Sequence, residues 1–389
     1  MKNILFIHQS AELYGSDKTI LMFICALDKS KYHPVVILPF EGPLKTEFEK
    51  HHITVIIMPV LKLYRKMFTP KNLMSFAKEY VASRKALQKL HSKYNFSLVY
   101  SHTLAALAGF LFARRNNIKH LWHVQEILAR PKIINTLFTK LLSDKANHKA
   151  VYDSIATMEF WSNGNPRLAA KSDFVWNGLD VADKPVHSDA EVQKTRLQFF
   201  NASPNNTVIA LVGRINSWKG QQLLLSAYSL IADKYPSAIL AFIGSAPPNQ
   251  DFFLTDLQSN IAKHKLTDRV IIIPFQTGIW KIWDSIDIAV VPSTEPEPFG
   301  MVAIEAMLAK KPVVAANHGG LTEIVVENQT GFLFEPGDEK ELAIAIEKLL
   351  QNPEIAREFG VSGYDRAVEH FSLQSHVAKF EQIIEDILT

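Results

Sequence analysis

Short apolar runs, each too brief to be a helix, alternate along this chain with amphipathic stretches. That alternation constrains the fold more than any other feature. NILFI, PVVILP, TVIIMPV, SLVYSH and HLWHV are five to seven residues long and rich in Val, Ile and aromatics. Near-continuous apolar runs of this length suit strands buried on both faces, the condition of a parallel sheet. Between them, DKTILMFICALDK and LAALAGFLFARR carry apolar residues at helical spacing. Strands alternating with helices predict a doubly wound α/β domain.

The rhythm restarts after residue 200. NTVIALVGR, AILAFIGS, RVIIIPF, IAVVPS, PVVAAN and TGFLFEP read as strands, and GQQLLLSAYSLIADKY, MVAIEAMLAK and EKELAIAIEKLLQN as helices. At 389 residues the chain is long enough for two such domains. Gly, Pro and Asp cluster in WNGLDVADKPVHSD, which predicts the boundary. The expected organisation is an N-terminal domain over 1–182, a C-terminal domain over 183–370, and an amphipathic final helix over 371–389 that can pack back on the first domain.

Hydrophobic residues make up 47% of the chain and charged ones 21%, as in a globular protein with large cores. The single cysteine, Cys25, allows no internal disulfide and favours a reducing compartment. The opening MKNILFIHQS has too short an apolar run for a signal-peptide core, and no run nears the ~18 residues of a membrane span. The expectation is a cytoplasmic protein, soluble or peripheral on the inner face of a membrane. Charge is uneven: residues 1–180 hold 25 Lys and Arg against 13 Asp and Glu, and the remainder 17 against 26. Such asymmetry points to different partners for the two halves.

In open α/β sheets ligands bind beyond the carboxyl ends of the strands, so the loops that follow strands matter most. GRINSWKG, Gly213–Gly220, follows one such strand. Gly213 permits close approach of backbone to ligand, Arg214 offers a planar fork of donors, and Lys219 a mobile charge. The set suits a diphosphate; alone it equally suits a surface turn with solvated cations. EPEPFGMVAIEA, Glu295–Ala306, follows another strand. Its prolines delay the helix until Gly300, leaving the amides of Phe299, Gly300 and Met301 near a helix N-terminus where they can donate to ligand oxygens. Glu297 stands just outside that helix and Glu305 within it. Carboxylates accept hydrogen bonds from vicinal hydroxyls. Phosphate on cations and hydroxyls on carboxylates together describe a nucleotide sugar. There is no Asp-x-Asp pair and no Cys/His spacing for zinc, so no metal ligand is assigned.

These motifs, with HGGLTEIVVENQTGFLFEPGD after them, resemble the C-terminal half of family 4 retaining glycosyltransferases. The resemblance is dense over residues 207–340. It implies the GT-B fold, two Rossmann-like domains facing across a cleft. It implies that Arg214 and Lys219 hold the donor diphosphate and take up leaving-group charge. Glu297, with the Phe299–Met301 amides nearby, would bind the donor sugar, and Glu305 the ribose. In the first domain LYGSDK matches the family's glycine-containing phosphate loop, which gives Gly15 and Ser16 a donor role. Only one glycine stands where a pair is common. His123, in LWHVQE, occupies a strand end where the family often has a histidine near the donor sugar; His102, His8, Glu126 and Ser154 are lesser candidates. FIGSAPP and IPFQTG depart from the family's glycine pattern around the donor pocket.

The implied activity is transfer from a nucleotide-diphosphate sugar, UDP-sugar favoured over GDP-sugar, to a hydroxyl acceptor, a glycan or lipid-linked, in bacterial polysaccharide or lipid-linked glycan assembly. It needs no cofactor. Rival readings are a nucleotide-sugar epimerase or phosphorylase of the same fold, or a non-catalytic sugar-nucleotide-binding subunit. No nucleic-acid recognition motif is present. One further segment, residues 61–93, carries nine Lys or Arg and one acid, Glu79. Met67, Phe68, Leu73 and Phe76 interleave with those cations, a pattern expected of a helix lying on an anionic membrane surface.

Overall fold

The computed structural model describes residues 1–62, 70–180 and 184–389. The chain divides into two compact units, Met1–Gly178 with Leu373–Thr389, and Leu179–Ser372. The crossings fall a few residues from the turn-residue boundaries. Leu179 and Ser372 form an isolated parallel bridge, and the Leu179 amide donates to the Phe371 carbonyl at 3.0 Å, so both ends of the second unit are closed together.

The first unit is a seven-stranded parallel sheet of β1 (Lys2–Ile7), β2 (Tyr32–Leu38), β3 (Thr54–Ile57), β4 (Leu98–His102), β5 (Lys119–Val124), β6 (Lys149–Tyr152) and β7 (Ser172–Phe174), in the order β3-β2-β1-β4-β5-β6-β7. β1, β2, β4, β5 and β6 are buried on both faces, as the apolar runs require, while the edge strands β3 and β7 are half-buried. Leu5 and Ile7 enter a core with Val99, Phe110 and Trp122; Ile4 and Phe6 enter another with Phe23, Tyr100 and Phe380. Phe380 comes from the last helix, Leu373–Leu388, and its ring centroid lies 4.8 Å from that of Phe23.

Two details differ from the sequence reading. β6 and β7 add strands too short and polar to stand out. The helix expected over 104–115 is Ala108–Asn116, because residues 103–107 are held otherwise. Thr103 has φ 72°, its carbonyl accepts from the Trp122 indole at 2.9 Å, and the Leu104 amide donates to the Glu126 carboxylate at 3.1 Å.

The basic segment contains the helix Pro70–Tyr94. Its Ser83 hydroxyl donates to the Pro59 carbonyl at 2.7 Å, Leu87 is buried, and Phe76, Tyr80 and Leu90 pack against the first core. Phe76 therefore serves the core, not a membrane. Met74 is exposed. Arg65, Lys66, Met67 and Phe68 lie outside the described residues, as do the side chains of Lys71 and Leu73. Among the described residues no helix is long and apolar enough to cross a membrane.

The second unit is a six-stranded parallel sheet of β8 (Thr207–Val212), β9 (Ala238–Ile243), β10 (Val270–Ile273), β11 (Ile288–Val291), β12 (Val313–Ala316) and β13 (Gly331–Phe334), in the order β10-β9-β8-β11-β12-β13. In each unit the strand order reverses beside the first strand, between β1 and β4 and between β8 and β11. Loops leaving such a pair diverge and open a crevice at the carboxyl edge.

Candidate active site

The loops after β8 and β11 carry the cations and carboxylates singled out above. After β8, Asn216 Oδ1 accepts from the amides of Trp218 and Lys219 at 3.1 and 3.0 Å, a side-chain turn that aims Lys219 across the crevice. Its ammonium lies 4.3 Å from the Trp218 ring centroid. Arg214 is exposed at the mouth of β8, just after Gly213. The helix Gln221–Ile231 then starts from Gly220, whose φ is 82°. A side chain there would collide with the Pro292 carbonyl, so only glycine lets the two loops close on each other.

The β11 loop meets this from the other side. The Thr294 amide donates to the Trp218 carbonyl at 2.8 Å. Glu297 is 5% exposed, and its Oε1 accepts from Lys219 Nζ at 2.5 Å and from the Ser293 hydroxyl at 2.6 Å. The cation and carboxylate assigned to different parts of a donor are thus one ion pair. A carboxylate this deep needs such partners, since burying it alone costs several kcal/mol, roughly. The backbone of Glu297 is seated as well: its carbonyl accepts from the Gly320 amide at 2.9 Å. A Cβ on Gly320 would stand 2.6 Å from Phe299 Cα, so HGG is the floor on which EPFG rests. His318 Nε2–H donates to the Ser293 carbonyl at 2.8 Å, and burial lowers the His318 pKa, keeping the ring neutral.

The helix Met301–Leu308 begins after Gly300 with no side-chain cap, so its first amides point out from the helix start beside Glu297. Phe299 is buried, its ring 5.8 Å from that of Phe371. Glu305 sits on this helix, half-buried, and Oε2 accepts from the Trp283 indole N–H at 3.1 Å.

In the first unit, Gly15 and Ser16 open the helix Gly15–Ala26, beside the switch point of that sheet. Asp17 caps this turn through the Tyr14 amide at 2.9 Å and accepts from His8 Nε2 at 2.7 Å. His8 Nδ1 in turn lies 2.9 Å from His102 Nδ1, a ring-to-ring hydrogen bond. His123 lies at the end of β5 as expected of a strand-end residue, but it is 1% exposed. Its Nδ1 contacts the Tyr100 hydroxyl at 2.8 Å, and Phe380 covers its ring at 4.9 Å. Burial holds His102 and His123 far below the ordinary imidazole pKa and pushes His376 down to about 4. Glu126, at the same sheet edge, is pushed up to about 7 by burial, against the opposing pull of the Leu104 and Gln125 amides. Ser154 caps the helix Ile155–Ser162 by accepting from the Thr157 amide.

Ser293, Trp283, Asn216, His318 and Gly320 were given no role by sequence reasoning, though all but Trp283 stand within quoted motifs. Their parts depend on contacts between distant stretches. Only the glycine pair of HGG offered a local sign.

Two Rossmann-like units, of seven and six parallel strands, make this a GT-B protein. Residues 193–366 match the family model described as glycosyl transferases group 1. It is 34% identical over 188 residues to sulfoquinovosyl transferase SQD2 of Arabidopsis thaliana, covering 46% of this chain and 34% of that protein. It is 32% identical over 173 residues to the capsular polysaccharide biosynthesis glycosyltransferase CapM of Staphylococcus aureus, covering 44% and 43%. The chain therefore spans less than half the length of these two curated relatives. Anabaena Alr3699/HepE, solved in complex with UDP, aligns over 99% of this chain and 100% of its own at 26% identity, with a TM-score of 0.84.

Proposed function

We propose that the protein is a retaining, metal-independent glycosyltransferase that moves a sugar from a nucleotide-diphosphate donor to a hydroxyl acceptor. The observation that carries this is the Lys219–Glu297–Ser293 knot beside Arg214, at the switch point of the second sheet. Arg214 and Lys219 hold the diphosphate and stabilise the charge that grows on it as it leaves. Glu297 and the nearby amides hold the sugar, and Glu305 the ribose. The acceptor oxygen bonds to the anomeric carbon on the face the diphosphate departs from, and a leaving phosphate oxygen takes the hydroxyl proton. A uridine nucleotide is the favoured donor; the complex of Alr3699/HepE with UDP-glucose, 25% identical to this chain, supports that choice. The relative CapM supports a polysaccharide acceptor pathway.

The test is release of nucleoside diphosphate from a panel of UDP- and GDP-sugars with soluble and lipid-linked acceptors. Arg214→Ala, at an exposed position, should keep wild-type stability and lose roughly a hundredfold in turnover, about 3 kcal/mol of barrier. A chelator should leave the rate unchanged. Product from donor alone would indicate an epimerase; nucleotide binding without turnover would leave a non-catalytic subunit.

The acceptor side is proposed to meet an anionic membrane. Lys78, Arg84, Lys85, Lys89 and Lys93 are all exposed on the helix Pro70–Tyr94. Each cation near an anionic leaflet contributes about 1 kcal/mol. Co-sedimentation with anionic vesicles should fall with salt and with charge removal at these five positions. Equal binding to neutral vesicles, or none to anionic ones, refutes it.

A further inference from the structure

The indole of Trp283 makes a contact that packing does not require. Trp283 lies on the helix Ile279–Asp284 and is fully buried. An indole has one donor, and a buried donor needs an acceptor. Here the acceptor is a carboxylate: Nε1–H donates to Glu305 Oε2 at 3.1 Å across 22 residues of sequence. Glu305 sits about one turn into the helix Met301–Leu308, on the side that meets Trp283. A glutamate has three side-chain torsions, and a half-exposed one samples many of them. A rigid ring fixed in the core, donating to one oxygen, removes that freedom before any ligand arrives. The carboxylate plane is then set, and so are the directions along which it accepts.

We infer that Trp283 is a positioning residue for Glu305 and thereby sets how strictly the site demands hydroxyls on a bound nucleotide's ribose. The inference rests on the ribose role proposed for Glu305. A carboxylate held by a fixed donor meets a vicinal diol at low ordering cost. A mobile carboxylate gains less from the same hydroxyls, so the preference for a ribonucleotide over its 2′-deoxy form weakens.

The experiment compares UDP with 2′-deoxy-UDP, and GDP with 2′-deoxy-GDP, by calorimetry on the full chain. Trp283→Phe keeps an aromatic ring in the core and removes the N–H together with the rest of the pyrrole portion, so its urea midpoint is measured beside wild type to account for the space left. In the wild type the ribonucleotide should bind more tightly. In Trp283→Phe its affinity should fall about tenfold, the size of one hydrogen bond to a charged group. The deoxy form should change little, so the ratio shrinks. Glu305→Ala should abolish the ratio. If Glu305→Ala abolishes it and Trp283→Phe leaves it intact, the inference fails and the ribose reading stands. If the wild type shows no ratio, or binds no nucleotide, both fall. A second measurement needs no change in the core. Of the six tryptophan indole ¹⁵N–H resonances, the one displaced by Glu305→Gln should also move on adding UDP, and less on adding 2′-deoxy-UDP. No displaced resonance, or equal movement with both ligands, overturns the inference.

Discussion

Lys219 and Glu297 should fail as a pair, and the way they fail separates structure from catalysis. The side chains are 19% and 7% exposed and meet at 2.5 Å. Lys219→Met leaves the Glu297 carboxylate buried, with the Ser293 hydroxyl as a remaining donor at 2.6 Å. Removing one partner of a buried pair costs about 3–5 kcal/mol, and the partial exposure of Lys219 places the expected loss near the lower figure. Glu297→Gln leaves an ammonium that can turn to water, so its loss should be smaller, about 1–2 kcal/mol. The double variant has no charge to strand. Its loss should fall short of the sum of the singles by roughly 2 kcal/mol, a coupling typical of contacting residues. Urea unfolding followed by fluorescence measures all four proteins. Turnover should behave oppositely, staying low in both singles and in the double, since a neutral pair cannot take up leaving-group charge. Additivity within about 0.5 kcal/mol would show that the two do not share an interaction. Recovery of turnover in the double variant would show that their charges have no part in the chemistry.

Two other perturbations test the surroundings. Burial pushes His376 down to about 4, from about 6.5 for an exposed imidazole, so its share of stability is complete above pH 6.5 and lost as pH falls toward 4; His376→Phe should flatten the fall between pH 7 and 5 by about 2 kcal/mol, and parallel urea-midpoint curves for variant and wild type would refute this. Gly320→Ala sets a Cβ 2.6 Å from Phe299 Cα, so it should cost about 1–3 kcal/mol of stability and slow turnover, whereas a wild-type melting temperature would show that the HGG turn is not a tight seat.

Features set by neighbours in sequence could be read from it, and features set by contact could not. The strands of the second sheet announced themselves because a both-faced strand must be apolar along its length: Ile209, Ala210, Val290 and Val314 are all within 1% of full burial. β7, three residues of which two are Ser and Asp, gave no such signal. Arg214, Lys219 and Glu297 stood out because they sit on the loops that follow strands, where ligands of open α/β sheets bind, in motifs that resemble a known family. What their spacing concealed was that Lys219 and Glu297, 78 residues apart, satisfy each other. The histidines show the same limit more sharply. His102 and His123 end adjacent strands, which is where a ligand-binding histidine would be placed. His376 arrives from the last helix, so that the His123 and His376 rings lie 6.4 Å apart, with Phe380 packed against both. Nothing local distinguishes a histidine kept neutral by such a cluster from one poised for chemistry, because the covering residues lie more than 250 positions away. The same reasoning applies to Trp283. A tryptophan in IWKIWD reads as core, and it is core, yet its one polar atom meets the carboxylate proposed to read the ribose. Buried aromatic residues with a single donor are therefore where a site's supporting contacts should be sought once a fold is known, because the need to satisfy that donor ties the core to the residue that binds.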